Sequence, residues 1–293
     1  IKSGANFNLD DNNNVFFNMG YISKAPRFNN VYHYDNSLFR DIKNEEVKAF
    51  EWGHSYRSHI YSSNLNVYYT NWKNKPSNGG VTVKVDDIPY RANINGMDAL
   101  HKGIEIDLSI RLSSKVTCEA LFSVGNWKWT SADTVRFLDD NNNPILDDFG
   151  NEIIAAFDAK GVHVGDAAQT QKGASLRYEP IYNSYIKLRG TYFNNYYSDF
   201  DPLSLNGYNS GRESWKIPAY SLIDLHMGYK FKISKRTKMA LTFSVLNLFD
   251  EMYISDAQNN DPYNANYQDF DAKSAGVFFG AGRRLNLAAK FIF

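Results

Sequence analysis

Six histidines could ligate a metal or move protons, so their spacing is the first question. His33, His54, His59, His101, His163 and His226 are dispersed along the chain. No two stand four apart as on a metal-binding helix face, and no His-Glu-x-x-His string occurs. That spacing argues against a zinc or haem site. The segment 138–152, LDDNNNPILDDFGNE, offers Asp139, Asp140, Asp147 and Asp148 as oxygen ligands for calcium. It lacks the regular Asp/Asn alternation and central glycine of a calcium loop. Asn-Asn-Asn-Pro between short apolar runs reads better as a hairpin turn inside a long loop. Gly280-Ala281-Gly282 is followed by Arg283 and Arg284 at the start of an alternating run, not by a helix, so it is not a phosphate loop. Cys118 is the only cysteine, which excludes an internal disulfide and a cysteine-based zinc cluster. It stands with Val116, Ala120 and Phe122 in an apolar row where nothing activates a thiolate. No catalytic group, cofactor or metal is expected.

Charge at alternate positions is the stronger signal. In GIEIDLSIRLS, Glu105, Asp107, Ser109 and Arg111 interleave with Ile104, Ile106, Leu108, Ile110 and Leu112. In SLIDLHMGYKF, Asp224, His226 and Lys230 oppose Ile223, Leu225, Met227, Tyr229 and Phe231. Near the end, Arg284, Asn286 and Lys290 oppose Leu285, Leu287, Ala289, Phe291 and Phe293. Glu51, Lys187 and Arg189 fit the same pattern. A helix would scatter these side chains around its axis, whereas a strand sorts them onto two faces. One face must meet water and the other an apolar medium.

Such strands are expected at about 1–9, 13–23, 46–56, 60–73, 101–112, 115–129, 170–178, 184–199, 220–231, 237–252 and 276–293. Short links alternate with long ones at about 24–45, 74–100, 130–169, 200–219 and 253–275. A soluble sandwich has no reason to gather every long loop at one end, whereas a transmembrane β-barrel has tight turns on one side and extended loops on the other. A ten-residue strand rising ~3.3 Å per residue with ~40° tilt spans roughly 25 Å, the height of an outer-membrane apolar band. Aromatics gather toward both strand ends: Tyr68, Tyr69, Trp72, Trp127, Trp129, Tyr192, Tyr196 and Tyr197 on the long-loop side, and Trp52, Tyr56, Tyr178, Tyr229, Phe231 and Phe293 on the other. Two aromatic girdles facing lipid are the expectation.

Composition agrees with that class. Among 293 residues, Lys+Arg and Asp+Glu both total 32, giving zero net charge and no basic face for nucleic acid. No stretch approaches the ~18 consecutive apolar residues of a membrane-spanning helix. The chain begins in mid-pattern with IKSGANFNL, without an initiator Met or signal peptide, so a fragment or processed piece is expected.

Several segments in order resemble the C-terminal half of a TonB-dependent outer-membrane receptor. They are FFNMGYISKAPRFNNVYHY, the NEEVKAFEWGHSYR strand with Glu46, Glu51 and Gly53 at matching positions, HKGIEIDLSIRLS, the Asn247-Leu248-Phe249-Asp250 string, and GAGRRLNLAAKFIF. The resemblance covers nearly all of 1–293, and the Asn- and Tyr-rich flavour of YFNNYYSDFDP is similar to Bacteroidetes-type receptors. It implies an all-β antiparallel transmembrane barrel, with about eleven strands here out of 22, plugged by a domain that lies outside this sequence. The implied function is active uptake of a solute across the outer membrane, without covalent chemistry. The implied partners are outer-membrane lipid, the plug and remaining strands, the TonB complex and, in some receptors, a surface lipoprotein. Long loops would then be extracellular and the C-terminus periplasmic, with Phe291 and Phe293 resembling the assembly signal of such barrels. Glu51, Glu105, Asp107, Arg111, Lys187, Arg189, Asp224, His226, Lys230, Arg284 and Lys290 are expected to line the lumen. Tyr208, Arg212, Trp215, Tyr263 and Tyr267 are the loop candidates for solute contact. A passive porin or exporter, an outer-membrane enzyme and a soluble carbohydrate-binding sandwich are the alternatives.

Overall fold

The computed structural model describes residues 1–28, 31–32, 42–75, 81–85, 88–92, 96–137, 139, 143–165, 167–234, 236–259 and 270–292. Its frame is one antiparallel sheet of eleven strands: β1 (Lys2–Asn8), β2 (Asn13–Lys24), β3 (Glu45–Arg57), β4 (Tyr61–Lys75), β5 (Met97–Arg111), β6 (Val116–Trp129), β7 (Thr170–Tyr178), β8 (Ser184–Asn194), β9 (Tyr220–Lys232), β10 (Lys238–Leu246) and β11 (Arg284–Ile292). Each strand pairs only with its neighbours in sequence, so the sheet is an unbroken meander. Links must then alternate between its two ends. In this single chain, β1 and β11 are each hydrogen-bonded on one side only.

The short links all use the same local chemistry. Asp10 Oδ1 accepts from the backbone N–H groups of Asn12 (2.7 Å) and Asn13 (2.8 Å). Ser58 Oγ accepts from Tyr61 N at 3.0 Å, Ser113 Oγ from Lys115 N at 3.2 Å, Ser184 Oγ from Ile181 N at 3.3 Å, and Ser234 Oγ from Thr237 N at 3.1 Å. Short polar side chains that bond the adjacent backbone hold each reversal tight.

The long links behave differently. They carry two-stranded hairpins of their own, Ala132–Arg136 with Ile154–Asp158, Tyr196–Tyr197 with Lys216–Ile217, Ile254–Asn259 with Ala275–Phe279, and Val81–Val85 with Ile88–Ala92. The deepest core lies here, where Phe137, Phe157, Val162, Phe200, Leu205 and Phe270 pack against the ends of β5 and β6 at Met97, Ala99 and Trp129. A second cluster gathers Ala168, Tyr196, Ile217 and Ala257.

Three strands are shorter than the alternation suggests. The expected 184–199 strand stops at Asn194, before Asn195 at φ 51°. The expected 237–252 strand stops at Leu246, because Asn247 (φ 52°) and Asp250 (φ 59°) take left-handed conformations that end the extended run. The expected 276–293 strand divides into Ala275–Phe279 and β11, and a Cβ at Gly280 would collide with the Tyr253 ring. Asn247 ties this corner together. Its N–H donates to Asp224 Oδ1 (2.9 Å), its Nδ2 to Glu251 O (2.9 Å) and Ala281 O (3.3 Å), and its Oδ1 accepts from Glu251 N (2.8 Å). Arg283 N donates to Asp250 Oδ1 at 2.7 Å. The Asn-Leu-Phe-Asp string is thus a staple joining β9, β10 and β11.

Candidate functional site

Directly opposed residues in an antiparallel pair share a face, so the register assigns every side chain of the sheet. Glu51 opposes Asn18 and Tyr68, Glu105 opposes Asn66 and Ser123, and Asp107 opposes Asn64. Arg111 opposes Thr117, Ser175 opposes Glu119 and Arg189, and Lys187 opposes His226. Arg189 opposes Asp224, Lys230 opposes Ala240, Ala240 opposes Lys290, and Leu246 opposes Arg284. Followed strand to strand, all eleven charged candidates fall on one face. The other face carries Phe17, Trp52, Val67, Ile104, Phe122, Leu176, Leu188, Leu225, Phe243 and Leu287 in register. Among the described residues no second sheet covers that face: Trp52 is 46% and Leu188 45% exposed. A soluble sandwich would bury these rows, and this observation removes that alternative.

The polar face is cross-linked. Arg189 donates to Asp224 Oδ2 through Nη2 (2.6 Å) and Nε (3.2 Å), a forked contact on a carboxylate whose side chain is 9% exposed. Lys187 Nζ and Ser175 Oγ both donate to Glu119 Oε2, at 2.5 and 2.8 Å. Asn18 reaches Glu51 and Asn66 reaches Glu105, each at 3.3 Å, and His226 Nδ1 lies 2.9 Å from Ser244 Oγ. Among the described residues, Asp107, Arg111, Lys230, Arg284 and Lys290 make no side-chain hydrogen bond. A groove of about 400 Å³ runs along this face between Asp107, Glu119, Lys187 and Arg189. Glu119 escaped sequence reading because Leu121 interrupts the polar alternation of β6; its partners Ser175 and Lys187 were the available clue.

The aromatics divide unexpectedly. Trp52, Tyr56, Tyr178, Tyr229 and Phe231 lie on the apolar face near the short turns, as do Tyr69 and Tyr192 at the other end. Tyr68, Trp72, Trp127 and Trp129 instead share the charged face. There Trp127 Nε1 donates to Tyr68 Oη (2.8 Å), Trp72 Nε1 to Glu45 Oε1 (2.5 Å), and the His101 ring lies 5.7 and 5.5 Å from those of Trp72 and Trp127. Gly103 and Gly125 leave the room for the Tyr68 and Trp127 rings, since a Cβ at either would overlap them. These four residues therefore pack on the polar side beneath the long loops, and the girdle reading fails for them. Tyr196 and Tyr197 are buried in a loop hairpin, not placed at a lipid boundary.

The loop candidates are also divided. Tyr208 is 97% exposed, at a 3₁₀ turn. The Arg212 guanidinium lies 5.5 Å from the Phe270 ring centre, and its Nη2 donates to Ser204 Oγ at 3.3 Å. Trp215 packs against both loop clusters. Tyr263, Tyr267 and Phe293 lie outside the described residues, and Phe291 is on the apolar face opposite Met239. Buried Gln169 was not anticipated. It clips the loops to β6, accepting from Trp127 N (2.8 Å) and donating to the carbonyls of Trp127 and Val164 (both 3.1 Å). His163 and Glu213 (2.6 Å) join the 130–169 and 195–219 connections, with the imidazole stacked 4.1 Å from the Tyr197 ring.

In segment 138–152, part of which lies outside the described residues, Asp139 N donates to Asn143 O (2.9 Å) and Ile145 N to Phe137 O (3.0 Å), which closes a hairpin. Asp147 accepts from Asn151 N (2.8 Å) and Phe149 N (2.9 Å), and these bonds, the Asn151 one foremost, pull its carboxyl below the ordinary aspartate range. No group of three His, Cys, Asp or Glu side chains among the described residues is arranged to hold a metal.

An antiparallel meander with one charged and one uncovered apolar face defines the wall of a transmembrane β-barrel. The family model for the TonB dependent receptor-like β-barrel matches residues 2–248, and the chain belongs to that family. Solved structures agree on the fold. The chain is similar to the ferric yersiniabactin uptake receptor FyuA from Yersinia pestis, with 15% identity, a TM-score of 0.59, and coverage of 99% of this chain and 36% of FyuA. It is likewise similar to the copper transporter OprC, with 15% identity, a TM-score of 0.62, and coverage of 100% and 39%. For the FrpB iron transporter from Neisseria meningitidis the values are 17%, 0.59, 99% and 38%. The chain thus spans little more than a third of the length of these structures. No curated protein matches it in sequence.

Proposed function

We propose that this chain is part of the wall of a TonB-dependent outer-membrane transporter and that it supplies lumen lining and extracellular loops, with no catalysis. The observation that supports this most is the sorting of charge. Eleven ionisable residues from Glu51 to Lys290 share one face, while aliphatic and aromatic side chains fill the middle of the other. On this reading the charged face is the lumen, where Asp107, Arg111, Lys230, Arg284 and Lys290 are available to hydrate a solute path or meet a plug. The cross-linked pairs stiffen the wall. Tyr208, the most exposed of the described loop candidates, meets solute. Arg212 and Trp215 hold the loop in shape.

The open edges of β1 and β11 are closed by further strands of the whole receptor. In lipid each unpaired backbone group costs several kcal/mol, so a sheet with free edges would not persist there. The long connections face outward from the cell, the C-terminus lies in the periplasm, and Phe291 belongs to the assembly signal. Plug, TonB complex and, in Bacteroidetes-type receptors, a surface lipoprotein complete the machine. The solutes bound by FyuA, OprC and FrpB make a scarce metal chelate the first class to test.

The experiment has two arms. The receptor should sediment with outer membranes, and a Cys introduced at Tyr208 in a Cys118→Ser background should react with an impermeant maleimide on intact cells. Uptake of ferric and copper chelates by a deletion strain should return with the receptor only when TonB is present. Uptake that survives loss of TonB would favour a passive porin.

A further inference from the structure

The apolar face is not uniform, and its two ends differ in charge. In the row Trp52–Val67–Ile104–Val124 every side chain is apolar. One row nearer the long loops stand Phe50, Tyr69, Lys102 and Asn126, and one row further Lys48, Asn71, Leu100 and Lys128. Lysines thus enter this face within two rows. Lys160, from the loop after β6, joins Lys102 and Lys128 around a groove of about 320 Å³ that Leu100, Asn126 and Trp129 also line and that contains no carboxylate. Among the described residues, Lys48, Lys102, Lys128 and Lys160 form no ion pair. In the next row out Glu46 stands opposite Lys73, and Asp98 follows Leu100 along β5, its Oδ1 accepting from Asn74 N at 3.0 Å. A further lysine on the same face, Lys172, rests 5.7 and 5.8 Å from the Phe122 and Tyr192 ring centres, its stem covering apolar surface.

At the short-turn end the same face finishes in Tyr56, Tyr178, Tyr229 and Phe231, and its described strand residues there include no lysine or arginine. Generic interfacial anchoring would place cations at both boundaries. Cations at one boundary only, directly above uncovered aliphatic rows, complement an amphiphile with hydrocarbon below and anionic groups above.

We propose that Lys102, Lys128 and Lys160 form a binding site for the phosphate groups of a phosphorylated glycolipid in the outer leaflet, whose acyl chains lie on the Val67–Ile104–Val124 rows. This rests on the reading that the apolar face meets lipid. It adds a defined lipid ligand on the outside of the wall, separate from any solute path.

The test uses the full-length receptor in phosphatidylcholine nanodiscs carrying either bis-phosphorylated lipid A or its enzymatically dephosphorylated form, with retained lipid read by native mass spectrometry. Lipid A should be retained in preference to the dephosphorylated form. Lys102→Gln, Lys128→Gln and Lys160→Gln together should weaken that retention on the order of a hundredfold, at about one kcal/mol for each lysine near an anionic surface. The three Lys→Arg changes should preserve it, which separates lost charge from misfolding. A control that neutralises Lys230, Lys232 and Lys290 on the charged face should leave it unchanged. Retention unaffected by the first triple variant overturns the proposal. So does full displacement by inorganic phosphate, which would mark a free-anion site. If the receptor instead failed to fractionate with outer membranes, the membrane reading itself would fall, a result distinct from either.

Discussion

Leu188 and Arg189 are joined by one peptide bond and live under opposite rules. Leu188 lies in an uncovered apolar row between Leu176 and Leu225, and Arg189 forks onto the nearly enclosed carboxylate of Asp224 between Ser175 and that partner. In a water-soluble sheet one of these faces would be a core. Here the apolar face is left uncovered by the other described elements, and the buried core sits among the long connections instead. The lesson is that the wall takes its stability from backbone pairing and its surroundings, while the loops fold as small soluble proteins do.

The largest effect should come from placing a charge on the wrong face. Leu188→Arg in the full-length receptor should lower unfolding free energy in lipid vesicles by about 2–4 kcal/mol, the cost of a lipid-facing arginine near the bilayer midplane. Ser109→Arg, opposite Glu119 on the charged face, should change it by less than about 1 kcal/mol. Denaturant titration of both variants decides the matter; equal losses would abolish the distinction between the faces.

A second contrast sets the long-loop corner against a short turn. Asn247 is 5% exposed and its side chain makes three hydrogen bonds, so Asn247→Ala leaves buried groups without partners and should cost about 1–3 kcal/mol. Ser58→Ala removes a half-exposed turn contact and should cost about 1 kcal/mol or less. Thermal unfolding of the two variants side by side measures the ratio.

These contrasts also show what could be read from the chain alone. All eleven sheet strands were legible, because polar residues, some of them charged, alternate with apolar ones at a period of two. The faces were legible too, and more fully than the aromatic girdle suggested. Tyr68 and Tyr69 are neighbours, so they cannot both face lipid, and Tyr68, Thr70 and Trp72 continue the polar row of Asn64 and Asn66. The ends of β10 and β11 were not legible, because alternation runs on through Asn247 and Gly280 and only the left-handed φ of Asn247 and the Tyr253 ring stop it. The loop core was hidden for a different reason. Phe137, Phe200 and Phe270 meet across more than 130 residues, and no local pattern records that. Trp215, expected to contact solute, is partly buried and packs against both loop clusters.

Within the charged face, two cross-strand pairs offer a finer comparison. Asp224 also holds the Asn247 staple and is nearly enclosed, whereas Glu119 is half exposed. A double-mutant cycle on Arg189 and Asp224 should give a coupling of about 1–2 kcal/mol. The same cycle on Lys187 and Glu119 should give about 0.2–1 kcal/mol and fade with added salt. Equal couplings would mean that enclosure contributes nothing to the stronger pair.

The smallest effect is local and depends on pH. The backbone N–H of Asn12, followed by the Asn13 amide and backbone, holds the Asp10 carboxyl below the ordinary aspartate value. A carboxyl lowered in the folded state stabilises its turn above the unfolded pKa, and the contribution is lost as pH falls through the lowered folded value. Hydrogen exchange at Asn12 and Asn13 should therefore show protection that is constant near neutrality and declines in acid. Asp10→Asn keeps the turn geometry but removes the titrating group, so its protection should be flat across the same range. Because Asp10 is fully exposed, the change should stay within the β1–β2 turn and leave the global transition where it is. Loss of protection across β3 and β4 at the same pH would show instead that this turn is coupled to the wall, and the contrast between locally closed turns and a sheet held by pairing would have to be redrawn.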